Sequence, residues 1–240
     1  TALSLHAADL ATPGSFDEAL EGCAGLIHVA AVARLSAPDP QRQIIDPSID
    51  GARNVLTAAS QAGIQRVVLT SSIAAVGDYR STQARPLNES DWNDAATLKT
   101  NPYGYAKAQA ERLAWELSEA APWSLAVINP GMVMGPVFTK RHCRASPIIV
   151  RDILKVAAPA NPRICLPIVD ARDVAAAHLN AYQRPDVSGR HVLVNENRWF
   201  KEMAVSLDQA FPERNIRTGE MPSFMVKLAA LFSKALDGKV

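Results

Sequence analysis

An α/β fold built on a doubly wound parallel sheet is predicted by three observations. Short apolar runs alternate with longer helix-like segments along the 240 residues, the pattern of repeated strand–helix–strand units. The length suits one large domain, or one domain plus a small lobe, with a sizeable core. Two polar motifs, one ending at Ser72 and the other Asn129-Pro130-Gly131, each close an apolar run. In a doubly wound sheet such carboxyl ends share one edge, where ligands bind.

The elements follow in order. Leu3 to Leu5 is a brief strand candidate, then a loop with Pro13 and Gly14 leads to a short helix, Phe16 to Glu21. Gly25 to Val29 (GLIHV) reads as a buried strand. Ile45, Ile49, Val55 and Ala59 recur at helical spacing within Gln43 to Ala62, and Gly63 stops that helix. Arg66 to Leu69 (RVVL) is the next strand and runs into Thr70, Ser71 and Ser72. Residues 77 to 102 form a long polar connection, which in a compact domain signals function. Tyr103 to Ala120 is a helix, and Leu125 to Ile128 is a strand closed by the Asn-Pro-Gly turn. Ile148 to Val156, Asp173 to Tyr182, Trp199 to Phe211 and Phe224 to Leu236 are further helices, with a late strand at His191 to Val194.

Bulk properties narrow the class. A formal net charge of +1 argues against a nucleic-acid or membrane-surface protein, since both show a basic excess. No apolar run approaches the roughly 20 residues of a membrane span, and the first residues lack the pattern of a signal peptide. Cys23, Cys143 and Cys165 are scattered, with no pair at metal-ligand spacing, so neither a disulfide framework nor a metal site is expected. A cytoplasmic protein with reduced thiols is the default expectation.

Three motifs can carry chemistry. Tyr103 and Lys107 stand four apart at the start of a helix, which puts both side chains on one face. A free phenol titrates near ~10, too high for efficient proton transfer at neutral pH, and a neighbouring ammonium lowers it. Ser72 follows a buried strand, where its hydroxyl can hold and polarise a carbonyl oxygen. Asn129-Pro130-Gly131, with Gly135-Pro136 after it, makes a turn able to line a ring, because Pro fixes φ and Gly permits close approach. Each has a plainer reading: a surface lysine beside a helix-starting tyrosine, an N-cap serine, an ordinary loop.

Their order along the chain carries a resemblance. VVLTSSIAAVG (Val67 to Gly77), YGYAK (Tyr103 to Lys107), INPGMVMGP (Ile128 to Pro136) and VDARDVAAAH (Val169 to His178) are similar to the extended short-chain dehydrogenases/reductases, the NAD-dependent epimerase/dehydratase superfamily. HVAA (His28 to Ala31) and Ala8-Asp9-Leu10 resemble further motifs of that family. The closest group is that of dihydroflavonol reductases, cinnamoyl-CoA reductases and bacterial aldehyde/ketone reductases. The resemblance implies a Rossmann-like sheet with a small C-terminal substrate lobe. It divides the chain into a dinucleotide-binding domain over 1–136, a substrate-lobe segment over 137–168, a return to the sheet over 169–196 and more of the lobe over 197–240.

It also implies roles. Tyr103 is the proton donor to a carbonyl oxygen, Lys107 lowers its pKa and binds the nicotinamide ribose, and Ser72 holds that oxygen, with Ser71 as the alternative. Asp9 and Leu10 contact the adenine; His28, Val29, Ala30, Thr70 and Ser71 line the cofactor; Pro130, Gly131 and Val133 lie near its ring. The implied cofactor is NADP(H) in preference to NAD(H), and the implied partner is a small-molecule carbonyl substrate, bound by a monomer or homodimer pairing through the helices around Asn54 and Tyr103. Trp92 and the run Asn88 to Asp94 lie in the substrate-shaping connection, and Phe138, His142 and Arg144 in the next variable segment.

The family's Gly-rich phosphate turn and its first two strands have no counterpart here, and the chain stops before the family's closing elements, so a partial sequence is expected. Ser48 stands where many extended relatives carry Asn. Competing readings are a nucleotide-sugar epimerase or dehydratase, a steroid dehydrogenase/isomerase, and a non-catalytic cofactor-sensing module. Ile73-Ala74-Ala75 offers no acid for the first, and the joint presence of Ser72, Tyr103 and Lys107 argues against the last.

Overall fold

The computed structural model describes residues 3–78, 85–140, 146–156 and 160–221. It divides into two compact units, Thr1–Pro130 with Arg172–Leu193, and Gly131–Ala171 with Val194–Val240.

The first unit contains a four-stranded, wholly parallel sheet of β1 (Gly25–His28), β2 (Arg66–Thr70), β3 (Ser124–Pro130) and β6 (Gly189–Leu193), in that order. Helices α1 (Asp17–Leu20), α2 (Asp46–Gln61), α3 (Pro102–Ser118) and α5 (Ala171–Gln183) connect and cover it. The period of two along each strand sorts the core onto two faces. Val67, Leu69, Leu125 and Val127 pack with Leu56 and Ala59 of α2 and Ala114 of α3. Val68, Ala126 and Ile128, the alternate positions, pack with Ala181 and Tyr182 of α5. Helices therefore cover both faces, the doubly wound arrangement the sequence predicts, and strands buried on both sides read as unbroken apolar runs.

Two details hold α5 on its face. A Cβ on Gly25 would stand 2.1 Å from the Tyr182 ring, so any larger residue there would force that ring to move. The buried Arg66 guanidinium donates to the carbonyls of Ala181 and Val187, both at 2.5 Å from Nη2, satisfying one carbonyl in the last turn of α5 and one in the turn that follows it.

In the second unit, β4 (Met132–Met134) pairs parallel with β5 (Cys165–Asp170), which pairs antiparallel with β7 (Glu196–Trp199). Helices α4 (Ile148–Leu154) and α6 (Phe200–Ala210) belong to it. None of these three strands is predicted from the sequence. β4 is three residues long, β5 carries Pro167, and β7 (ENRW) has no apolar pattern to betray it.

Other departures are local. Leu3 to Leu5 is not a strand: it pairs with no described strand, and Leu3 and Leu5 are exposed. The helix expected from Gln43 begins earlier, as a wider π turn over Gln41–Ile45 that buries Ile44 and Ile45 before α2 starts. The strand expected to end at Ile128 continues through Pro130, because Asn129 and Pro130 still pair with Val192 and Leu193. The helix expected to Val156 ends at Leu154, and Val156 takes a left-handed φ of 53°. The helix expected over Phe224 to Leu236 lies outside the described residues. No helix among the described residues is long and apolar enough to cross a membrane.

Candidate active site

The start of α3 is fixed by its own sequence. Asn101 is the N-cap, its Oδ1 accepting from the Gly104 N–H at 3.0 Å, and Pro102 opens the helix where its missing N–H costs nothing. Asn101 Nδ2 donates to Asp78 at 3.0 Å, and Asn93 Nδ2 donates to the Ala74 carbonyl at 2.8 Å. A Cβ on Gly104 would stand 2.7 Å and 2.9 Å from those two amide nitrogens, so glycine is required where the helix meets them. Tyr103 thus sits in the first turn of α3, with Lys107 one turn further along the same face.

Ser72 follows β2 and caps the 3₁₀ turn Ile73–Ala75, its Oγ accepting from the Ala74 N–H at 3.1 Å. The N-cap role and a role toward Tyr103 coexist. Burial pushes the Tyr103 phenol above its ordinary value and outweighs the lowering influence of the Ser72 side chain. The lowering of Tyr103 by Lys107 that the sequence suggests is not among the influences on it. Burial instead acts on Lys107 itself, whose ammonium is brought down to about 8 although the Glu111 carboxylate opposes this. His28 is held at about 4, first by burial and then by the charge of Lys107.

Leu10, His28, Ala30, Thr70, Ser71 and Lys107 line one pocket at the carboxyl ends of β1 and β2. Ala31, Pro47, Ser48, Gly51, Ala52, Leu69, Ala110 and Glu111 complete its walls. Its cavity volume is about 30 Å³, room for two or three waters, and it is partly open to solvent. The small side chains leave space for close approach, and the Lys107 ammonium, with no hydrogen-bond partner among the described residues, can donate to ribose hydroxyls. These residues fit part of a dinucleotide.

The other expected residues are not among those that line this pocket. Asp9 is exposed and closes its own turn, accepting from the Ala11 N–H at 2.9 Å. Val29 is exposed and lines no part of the pocket. Pro130 is buried at the end of β3. Gly131 and Val133 belong to the second unit, where a Cβ on Gly131 would stand 2.6 Å from the Pro167 carbonyl and Val133 pairs with Val169. Phe138 is exposed, and His142 and Arg144 lie outside the described residues.

Sequence reasoning missed Glu111. This wholly buried carboxylate accepts from Ser71 Oγ at 2.5 Å and Asn129 Nδ2 at 2.8 Å on one oxygen, and from Arg190 Nε at 2.5 Å on the other. Arg190 Nη1 donates to the carbonyls of Glu89, at 2.9 Å, and Asp91, and its guanidinium lies 3.9 Å from the centre of the Trp92 ring. The expected substrate-shaping connection is thereby tied to the helix that carries Tyr103. A signal existed: Gly104, Ala108 and Glu111 follow the buried stripe of α3, and an acid on such a stripe needs partners. His178 was missed as well. Its Nδ1 bonds the Val174 carbonyl at 2.7 Å, leaving Nε2 to accept from Thr70 Oγ1 at 2.6 Å beside the pocket.

A parallel sheet wound on both faces, with a groove at the carboxyl ends of its strands, is the architecture of a Rossmann-type α/β protein. The sequence profile of the NAD dependent epimerase/dehydratase family matches residues 1–195, and the chain belongs to that family, the extended short-chain dehydrogenases/reductases. It is 35% identical over 217 residues to tetraketide alpha-pyrone reductase 2 of Arabidopsis thaliana, covering 88% of this chain and 67% of that protein. It is also 35% identical over 221 residues to cinnamoyl-CoA reductase 1 of the same plant, covering 90% and 62%. Among solved structures it resembles yeast methylglyoxal/isovaleraldehyde reductase Gre2, complexed with NADPH, with a TM-score of 0.79 and 26% identity over 90% of this chain and 70% of that one. The chain spans about two thirds of the length of the curated relatives it matches.

Proposed function

We propose that this chain carries the active site of an NADPH-dependent reductase of small-molecule carbonyls, whether aldehyde, ketone or acyl-thioester. The observation that carries the reading is the placement of Ser72 at the end of β2 and of Tyr103 in the first turn of α3, with Lys107 one helical turn away on the pocket wall. The names of its reductase relatives and the NADPH complex of its structural neighbour support the reaction class and the cofactor. Bound NADPH supplies the hydride.

The chain's own residues do the rest. Burial keeps the Tyr103 phenol protonated at neutral pH, the state a proton donor needs. The Ser72 hydroxyl, its lone pair already engaged by Ala74, turns its proton toward the carbonyl oxygen and polarises it. Tyr103 delivers its proton to that oxygen. The Lys107 ammonium, one helical turn from Tyr103, binds ribose hydroxyls. No observation favours the sugar-nucleotide, steroid or non-catalytic readings over this one.

A fluorescence titration with NADPH, and separately with NADH, tests the reading when followed by NADPH consumption against aldehyde, ketone and acyl-thioester panels. Saturable binding that is tighter for NADPH, with turnover of at least one carbonyl class, is expected. A folded protein that binds neither nucleotide would contradict it.

A further inference from the structure

The Glu111 carboxylate is more than a structural ion pair. A buried pair adds little net stability over apolar side chains of the same volume, because desolvation offsets the attraction. Yet this one draws donors from the ends of β2 (Ser71) and β3 (Asn129) and from β6 (Arg190) onto the helix face that carries Lys107 one turn earlier. Glu111 and Lys107 also share the wall of the pocket.

We propose that Glu111 is a positioning residue for the reaction proposed above: held by Ser71, Asn129 and Arg190, its carboxylate seats the Lys107 turn of α3 against the strand ends and is the counter-charge of the Lys107 ammonium. The groups that bear on Lys107 are Glu111 from its own helix and His28 from β1, with Arg190 of β6 acting on Glu111. His28 is neutral at neutral pH, so among the described residues Glu111 is the anion that opposes the burial of Lys107. Without it, burial acts unopposed and the ammonium loses its proton closer to neutrality. The role is indirect, since Glu111 has its oxygens engaged by three other side chains and faces the reacting atoms only through Lys107.

The test follows the Lys107 titration by NMR of the full protein carrying ¹³C-methylated lysines, the resonance assigned with Lys107→Arg. In the unaltered protein the midpoint is expected at about 8. In Glu111→Gln it is expected to fall by about one pH unit or more, and the alkaline limb of the NADPH-dependent rate to move down with it. A purely structural role would lower the melting temperature and leave the Lys107 midpoint in place. Should Glu111→Gln not fold, Glu111→Gln with Arg190→Gln replaces the ion pair by an amide pair and is expected to show the same fall. An unchanged Lys107 midpoint in a folded variant overturns the proposal. Because the titration needs no turnover, it reads the same if the unaltered protein reduces no carbonyl, which would sink the reductase reading alone.

Discussion

The Asn101 side chain and the Gly104 backbone lock together at the start of α3, with Oδ1 accepting from the Gly104 N–H at 3.0 Å and Nδ2 2.7 Å from where a Gly104 Cβ would stand. Tyr103 sits between them in sequence, so its position depends on this cap. Asn101→Ala should cost about 0.5–2 kcal/mol of stability. Gly104→Ala should force the cap apart and lower carbonyl-reducing turnover more than it lowers NADPH affinity. Urea unfolding and steady-state kinetics check both. A Gly104→Ala protein with unaltered turnover would show that the cap does not place Tyr103.

Arg190 and Glu111 are 7% and 0% exposed. Removing one charge strands the other, so Arg190→Met should destabilise the protein by about 3–5 kcal/mol, far more than an exposed pair would. The pair Arg184 and Asp186, both largely exposed, is the control: Arg184→Met should change stability by less than about 1 kcal/mol. Equal effects in the two variants would contradict the burial argument.

His28 is buried and held at about 4, against 6.5 for the free side chain. The folded protein keeps it neutral while the unfolded chain takes up a proton below 6.5, so stability falls as pH drops from 6.5 to about 4 and not further from this group. The loss amounts to roughly 3 kcal/mol. Melting temperature recorded against pH should show that slope in the unaltered protein, and a shallower one in His28→Gln.

Lys107 sets the alkaline side. With its pKa brought down to about 8, the charged fraction is lost as pH rises through that value, and kcat/KM for the reduction should fall with it. The same shift has the opposite sign for stability. Between about 8 and 10.5 the unfolded chain holds the proton that the folded protein has lost, so this group's contribution to stability rises with pH. Lys107→Arg keeps the charge at all accessible pH and should remove the fall near 8 while lowering the plateau. A pH profile unchanged in Lys107→Arg would detach that limb from Lys107.

What the sequence made legible is what is local. Tyr103 and Lys107 declare a shared face through their spacing, and Ser72 declares a strand end through the apolar run before it. The two-sided burial of β2 and β3 is written in Val67, Val68 and Leu69. Glu111 and Arg190 are 79 residues apart and meet only because β6 is laid beside β3, which no spacing within α3 can announce. The Thr70–His178 contact, 108 residues apart, was hidden for the same reason. β5 and β7 stayed invisible because their pairing, Leu166 with Arg198 and Pro167 with Asn197, needs no alternation of apolar residues.

The central claim is that Tyr103 gives the proton, and Tyr103→Phe tests it most directly, because the ring stays and only the hydroxyl leaves. Carbonyl reduction by this variant should fall by about 10²–10⁴-fold, with NADPH binding preserved in a fluorescence titration. Turnover within a few-fold of the unaltered protein, at full NADPH occupancy, would contradict the account.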